Sequence, residues 1–203
     1  MRRSLCLLIA FIVSSAFTFY YHPPESVASS KSENTIPQGI QLKEGNLILR
    51  NSNGLLSSFF RNCSIQEKKF SHAGLLKKIN DQWFVYHFMD GETSGLNIET
   101  LNSFIDKKKC NQFAIYKFAL SESQQMQLLL LIDATKSASI TFDNAFDLST
   151  DSKMYCTEWV AKLINRSAGC SIIPYTSVSG VFFYAPDNLY LNSYCSKVYE
   201  KRF

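Results

Sequence analysis

Cys156, His72 and His87 are side chains of the types that covalent acyl transfer requires. A cysteine attacks as its thiolate, needs an imidazole to take and return a proton, and needs a third polar group to hold that imidazole in one tautomer. Cys156 lies within Thr141 to Gly169 (TFDNAFDLSTDSKMYCTEWVAKLINRSAG). Ser149, Thr150, Asp151 and Ser152 crowd ahead of an apolar pattern there and Gly169 closes it, which predicts a helix with Cys156 in its first turn or two. Unpaired N–H groups and the positive end of the helix dipole at that position favour a thiolate, so a lowered thiol pKa is expected. A free cysteine is also among the most buried residue types. Met154, Trp159, Val160, Leu163 and Ile164 give this helix an apolar face, so a packed core cysteine competes for the helix taken alone.

The elements that would bring a base to this sulfur come earlier. Residues from about Phe70 to Met89 read as a hairpin, with Leu75, Leu76 and Ile79 on one arm, Trp83 to Tyr86 on the other, and Asn80-Asp81 as the turn. A two-residue loop sets Ile79 opposite Gln82, Gly74 opposite His87 and His72 opposite Met89. Because side chains alternate faces, His72 and His87 then share a face, diagonally across the pair; a three-residue loop would separate them. Ile40 to Asn51 predicts a strand around Leu47, Ile48 and Leu49, and Asn53 to Asn62 a short helix. Asn97 to Lys107 predicts a helix with Leu101, Phe104 and Ile105 as its stripe, and Cys110 to Ala119 a strand. Ser121 to Thr135 reads as a helix with Ser121 as N-cap. Ser179 to Tyr184 reads as late β structure. Strands and helices mix without βαβ alternation, which indicates an α+β domain.

Residues 1–21 (Arg2-Arg3, an apolar run from Leu5, then Ser14-Ser15-Ala16) have the parts of a signal peptide, and the run to Tyr21 is nearly long enough for a membrane anchor. Export to the periplasm or extracellular space is therefore expected, with membrane association through the N-terminus if the segment stays. Residues 22–38, rich in Pro and Ser and holding His22, read as a linker, and 39–203 as one domain. Two of the 21 basic residues are Arg2 and Arg3 and the others nearly balance 17 acidic ones, so nucleic acid is not an expected partner. Cys63, Cys110, Cys156, Cys170 and Cys195 are an odd set. If Cys156 is free, two disulfides are possible among the remaining four, in a pairing the sequence does not give. Their spacing shows no zinc pattern, and no metal or organic cofactor is implied.

These pieces are similar to a known family. Glu44 to Arg50, Ser71-His72-Ala73-Gly74, Val85-Tyr86-His87 and Tyr155-Cys156-Thr157-Glu158-Trp159 follow the order and approximate spacing of the circularly permuted papain-like cysteine hydrolases, in the YiiX/YebB-like branch of the NlpC-type superfamily. That family shows a Gly-Asp strand, a Ser-His-x-Gly motif, a polar residue on the next strand and a Tyr-Cys-Ser-Glu motif opening a helix. The resemblance covers about Gly45 to Ile164. It implies a permuted papain-like fold with an antiparallel sheet packed against the cysteine helix. It further implies Cys156 as nucleophile, His72 as general base and acid, His87 as its orienting group, and the Cys156 N–H in the oxyanion hole. The chain departs from the pattern at Asn46 (usually Asp), Thr157 (usually Ser) and His87 (often Glu). Glu158 reads as a structural partner of an arginine such as Arg50. The expected reaction is cleavage of an amide or ester through a thioacyl intermediate, on cell-wall peptide or on acylated small molecules or lipids, with Trp83, Tyr86, Phe88 and Trp159 as aromatics near the site. The alternative is an inactive, disulfide-stabilised binding protein of the same fold.

Overall fold

The computed structural model describes residues 36–91 and 94–203, apart from the Leu55 and Leu56 side chains, and these belong to one compact unit spanning 34–203. The expected leader, the linker up to Thr35 and His22 lie outside the described residues.

The first strand, β1 (Leu47–Ser52), follows a tight turn in which Asn46 Oδ1 accepts the Lys43 N–H at 2.8 Å. Helix α1 (Leu55–Cys63) comes next, and then the hairpin of β2 (His72–Ile79) and β3 (Gln82–Met89). Asn80 and Asp81 turn it with φ of 48° and 62°, the left-handed pair of a two-residue hairpin turn, and Ile79 faces Gln82 as the sequence predicts. β4 (Gly95–Thr100) pairs with β3 and leads into a single helical turn, α2 (Leu101–Phe104), capped by Thr100, whose Oγ1 accepts the Ser103 N–H. The helix expected from Asn97 is therefore half strand. Leu96, Ile98 and Thr100 alternate with Asn97 and Glu99, and pairing with β3 overrides the helical spacing of Leu101 to Ile105.

β5 (Cys110–Phe118) and α3 (Glu122–Ser137) follow, the helix carrying a Ser121/Gln124 capping box. The cysteine helix α4 (Cys156–Ala168) begins later than the Ser149 to Ser152 cluster suggests, so that Cys156 is its first residue. A separate hairpin, β6 (Thr176–Val178) with β7 (Val181–Phe183), the short α5 (Pro186–Tyr190) and β8 (Cys195–Arg202) complete the chain. The main sheet runs β4-β3-β2-β1-β5-β8, antiparallel throughout.

Alternation along the strands divides the core into two faces. Leu47, Leu49, Ala73, Leu75, Tyr86 and Phe88 pack with Trp159, Val160 and Ile164 of α4 and Leu128 and Ile132 of α3. Ile48, Leu76, Val85, Phe113 and Ile115 pack on the other face under Leu101, Phe104 and Ile105. Cys156 belongs to the first cluster, while Arg50, Gly74, His87 and Glu99 take the register positions of the second face. All five described cysteines are free, so the expected disulfides do not form: Cys110 is buried at the start of β5, Cys170 is exposed, and Cys63 and Cys195 are half-buried.

Candidate active site

The Tyr155-Cys156-Thr157-Glu158 run fixes the sulfur from both sides. The Tyr155 hydroxyl accepts the Tyr184 N–H at 2.7 Å, and the Thr157 hydroxyl donates to the Tyr184 carbonyl at 2.5 Å. Glu158, fully buried, accepts the Tyr155 N–H at 3.3 Å and pairs with Lys162 at 2.8 Å. Its partner is thus the lysine one turn along the same helix; Arg50 instead meets Glu99.

His72 and His87 meet as the register predicts. His72 Nε2 and His87 Nδ1 are 2.8 Å apart with the rings perpendicular. Gly74 makes this possible: a Cβ there would stand 2.6 Å from Val85 Cγ1, 2.8 Å from the Tyr86 carbonyl oxygen and 3.1 Å from the His87 Cβ, so any larger residue forces the strands apart. Phe104 of α2 stacks on His72 at 5.8 Å, meets His87 edge-on at 5.2 Å and carries the Arg50 guanidinium over its face at 4.1 Å.

Two residues not expected in the site stand beside this pair. Arg50, 6% exposed, donates to the Phe104 carbonyl (2.9 Å) and the Ser52 hydroxyl (2.8 Å). Glu99 Oε1 lies 3.4 Å from Arg50 Nη1 and 3.3 Å from His87 Nε2, the latter without hydrogen-bond alignment, while its Oε2 accepts from Ser103 (2.6 Å) and Lys109 (2.7 Å). Glu99 escapes a sequence reading that places it on a helix. Read as a strand opposite Val85, it falls on the His87 face.

Cys156 approaches β2 at the end of the sheet, beside Ala73. Ile48 with Gly74 and Arg50 with His72 are the pairs of β2 that bond toward β1, so the Ala73 N–H points toward β3. The β2–β3 ladder stops at Leu75 with Tyr86, one hydrogen-bonded step short of Ala73 with Phe88. The freed Ala73 N–H, with the N–H groups of Cys156 and Thr157 in the open first turn of α4, favours the thiolate form of Cys156. These N–H groups of Cys156 and Thr157 are of the kind an oxyanion hole uses.

The expected low thiol pKa is not met. Burial pushes the Cys156 thiol up to about 11, and the three N–H groups with the Arg50 charge offset only part of that. Burial, then the Arg50 and His87 charges, hold His72 well below the ordinary imidazole value against a smaller pull from Glu99. His87 is lowered too, by burial first, despite Glu99. Half-burial alone would raise Glu99, but His87, Lys109, Ser103 and Arg50 outweigh it and keep the carboxylate ionised. The resting site is a neutral thiol beside two neutral imidazoles.

Cys156 and His72 both line a cavity of about 580 Å³. Its lining combines Phe59, Phe60, Phe88, Phe142 and Phe146 with polar residues that include Arg50, Ser71, Asp90 and Lys109. Of the expected aromatics only Phe88 is there. Tyr86 and Trp159 are fully buried core, and Trp83 packs against the cluster on the other face. Buried Asp143 accepts the N–H groups of Ala145 and Asp147, ordering the loop that presents Phe142 and Phe146. Phe146 has φ of 57°, a strained conformation for a bulky residue, held by Phe59, Phe60 and Tyr155 at 5.1–5.9 Å. Asn46 lies at the far end, four residues along β2 from His72 by its bond to Leu76 and so about 13 Å away. Among the described residues no group of three or more His, Cys, Asp and Glu side chains could hold a metal ion.

Residues 41–190 match the family described as permuted papain-like amidase enzyme, YaeF/YiiX, C92 family. Among solved structures the fold is similar to a protein titled metalloprotein yiiX from Escherichia coli O157:H7, DUF1105. The TM-score is 0.64 at 16% identity, over 80% of this chain and 99% of that one. No curated protein matches the sequence.

Proposed function

The chain belongs to the permuted papain-like amidases, a family of cysteine hydrolases, and on that premise we propose that Cys156, His72 and His87 cleave an amide or ester bond whose acyl side is apolar. The observation that carries this reading is the cavity shared by Cys156 and His72 and walled by Phe59, Phe60, Phe88, Phe142 and Phe146. An aliphatic acyl chain gains roughly 0.8 kcal/mol for each CH₂ it buries against such a wall, while Ser52, Asn53, Asp90, Lys108 and Asn144, which also line the cavity, supply polar contacts for the rest of the substrate.

Cys156 attacks the carbonyl as its proton passes to His72, whose other ring nitrogen stays bonded to His87. Because the resting pair is neutral, proton transfer accompanies attack rather than preceding it. The N–H groups of Cys156 and Thr157 receive the developing oxyanion, His72 returns the proton to the leaving group, and water activated by the same imidazole releases the acid. The alternative of an inactive, disulfide-stabilised binding protein loses its disulfides, since the described cysteines are free, and Asn46, bonded to Lys43, sits away from His72; His87 in place of the family's frequent Glu is what still favours it. The yiiX title raises a metal, but the residues here do not fit one: no suitable cluster exists among the described residues, and the two imidazoles bond to each other. Action outside the cytoplasm belongs to the same proposal and rests on the composition of residues 1–21. The mass of the mature N-terminus tests it.

The decisive experiment offers the protein N-acyl anilides of increasing chain length alongside peptide amides, and locates any acyl adduct by peptide mass. A thioester on Cys156 that forms faster with longer chains, and is absent in Cys156→Ala, is the expected result. Turnover that survives Cys156→Ala, or no adduct with any donor, overturns it.

A further inference from the structure

A hydrogen bond between two neutral imidazoles has a direction, and nothing in the pair itself decides it. His72 Nε2 and His87 Nδ1 share one proton at 2.8 Å. If His87 supplies that proton, His72 keeps its own on Nδ1 and has no lone pair left with which to accept the proton of a thiol. If His72 supplies it, Nδ1 of His72 is free to act as a base. The choice falls to whatever faces the remaining nitrogen of His87.

Glu99 faces it. Its Oε1 stands 3.3 Å from His87 Nε2 without hydrogen-bond alignment, and Nε2 is buried with no hydrogen-bond partner among the described residues. The carboxylate is anchored on three elements: Arg50 of β1 approaches Oε1, while Ser103 of α2 and Lys109 beyond it donate to Oε2. An ionised carboxylate only accepts, so a bare Nε2 lone pair against it would be repelled, whereas an Nε2–H is attracted. The three groups step diagonally across neighbouring strands on one face. Gly74 is opposite His87 by register, with His72 two residues away, and Asn97 is opposite His87, with Glu99 two residues away.

We infer that Glu99 is a positioning residue that acts through His87: it holds the His87 proton on Nε2, which leaves Nδ1 to accept from His72 and fixes His72 as the Nε2–H tautomer with Nδ1 as the basic nitrogen. The inference rests on the hydrolase reading for its purpose but not for its geometry. When Cys156 gives its proton to His72 Nδ1, the resulting imidazolium keeps its Nε2–H bond to His87, and the Glu99 charge lies one ring beyond it. His87 and Glu99 together thereby do what one carboxylate does in a three-residue arrangement.

The test uses the wild type and Glu99→Ala labelled with 15N-histidine, with the ring-nitrogen shifts of His72 and His87 read by NMR at neutral pH. Iodoacetamide alkylation of Cys156 is followed on the same samples. The expected result is His72 as the Nε2–H tautomer in the wild type, a shift toward the Nδ1–H form in Glu99→Ala, and alkylation slowed roughly tenfold. Glu99→Gln, which still sets an oxygen opposite His87, is expected to keep the wild-type tautomer and most of the rate. In His87→Ala the further change Glu99→Ala should slow alkylation no more. A wild-type His72 carrying its proton on Nδ1 overturns the inference whether or not the variants fold, as does a full loss added by Glu99→Ala to His87→Ala. Predicted tautomers with alkylation indifferent to His72→Ala would instead leave the inference standing and sink the hydrolase reading.

Discussion

The two faces of the main sheet are built from the same strands and do opposite work. The face under α4 and α3 is a deep apolar core that holds the proposed nucleophile, and Cys156 is 1% exposed within it. The face under α2 has a smaller apolar cluster bordered by a run of ionisable groups, Arg50, His72, His87 and Glu99, with Phe104 packed among them. Cys156 and His72 come from opposite sides of one sheet and line one cavity where its β2–β3 ladder stops short. The difference teaches which property each face is free to lose. Substitutions under α4 should cost folding, those under α2 should cost chemistry, and Cys156 alone stands at the crossing.

Cys156→Ala should give the largest effect on turnover, its complete loss, with a denaturation midpoint close to wild type because a small side chain is removed; acyl release and urea unfolding check this together. His72→Ala should lower the acylation rate by about 10²–10⁴, the usual worth of a general acid and base, again in a folded protein. Trp159→Ala probes the other face. It should cost about 3–5 kcal/mol in urea unfolding while leaving the rate per folded molecule near wild type, and a folded but inactive Trp159→Ala would break the division of labour proposed here.

Acid and alkali should separate the faces in the same way. His72 and His87 are lowered in the folded protein, so below the ordinary value of 6.5 the unfolded chain takes up protons that the folded one refuses. Stability should therefore fall as pH drops below 6.5, by up to about 1.4 kcal/mol per pH unit for each histidine, and His72→Ala should flatten that slope. Cys156 is raised from 9.0 to about 11, so its contribution is full below 9 and lost as pH climbs toward 11; alkylation should keep rising through that window instead of levelling near neutrality. The smallest effect is expected from Asn46→Asp. It supplies the family's usual residue at the far end of β1 and should shift unfolding by less than about 1 kcal/mol, with the rate unchanged.

The parts of this site that obey strand periodicity were legible in the sequence. The Asn80-Asp81 turn and simple counting place His72 beside His87, and Gly169 ends α4 in the left-handed conformation its position suggests. What escaped depends on contacts distant in the chain. The serines before Cys156 look like caps, yet α4 starts later because Tyr155 and Thr157 are tied to Tyr184, nearly thirty residues on. Glu99 hides because Leu101, Phe104 and Ile105 carry helical spacing into a segment that β3 claims as strand. The thiol pKa is misjudged because the start of a helix promises partial charge, while the depth of burial, which dominates, is a tertiary property.

The Asn80-Asp81 turn lies eight residues from His72, roughly 25 Å along β2, and touches nothing in the cavity. It nonetheless sets the parity of the hairpin. One residue added there would convert every odd position of β2 into an even one relative to β3, leaving each strand its composition while sending the two imidazoles to opposite sides. The meeting of the two imidazoles is thus an arithmetic property of a loop that takes no part in it, and the activity proposed for them becomes a sensitive odd-or-even test of how the hairpin has been threaded.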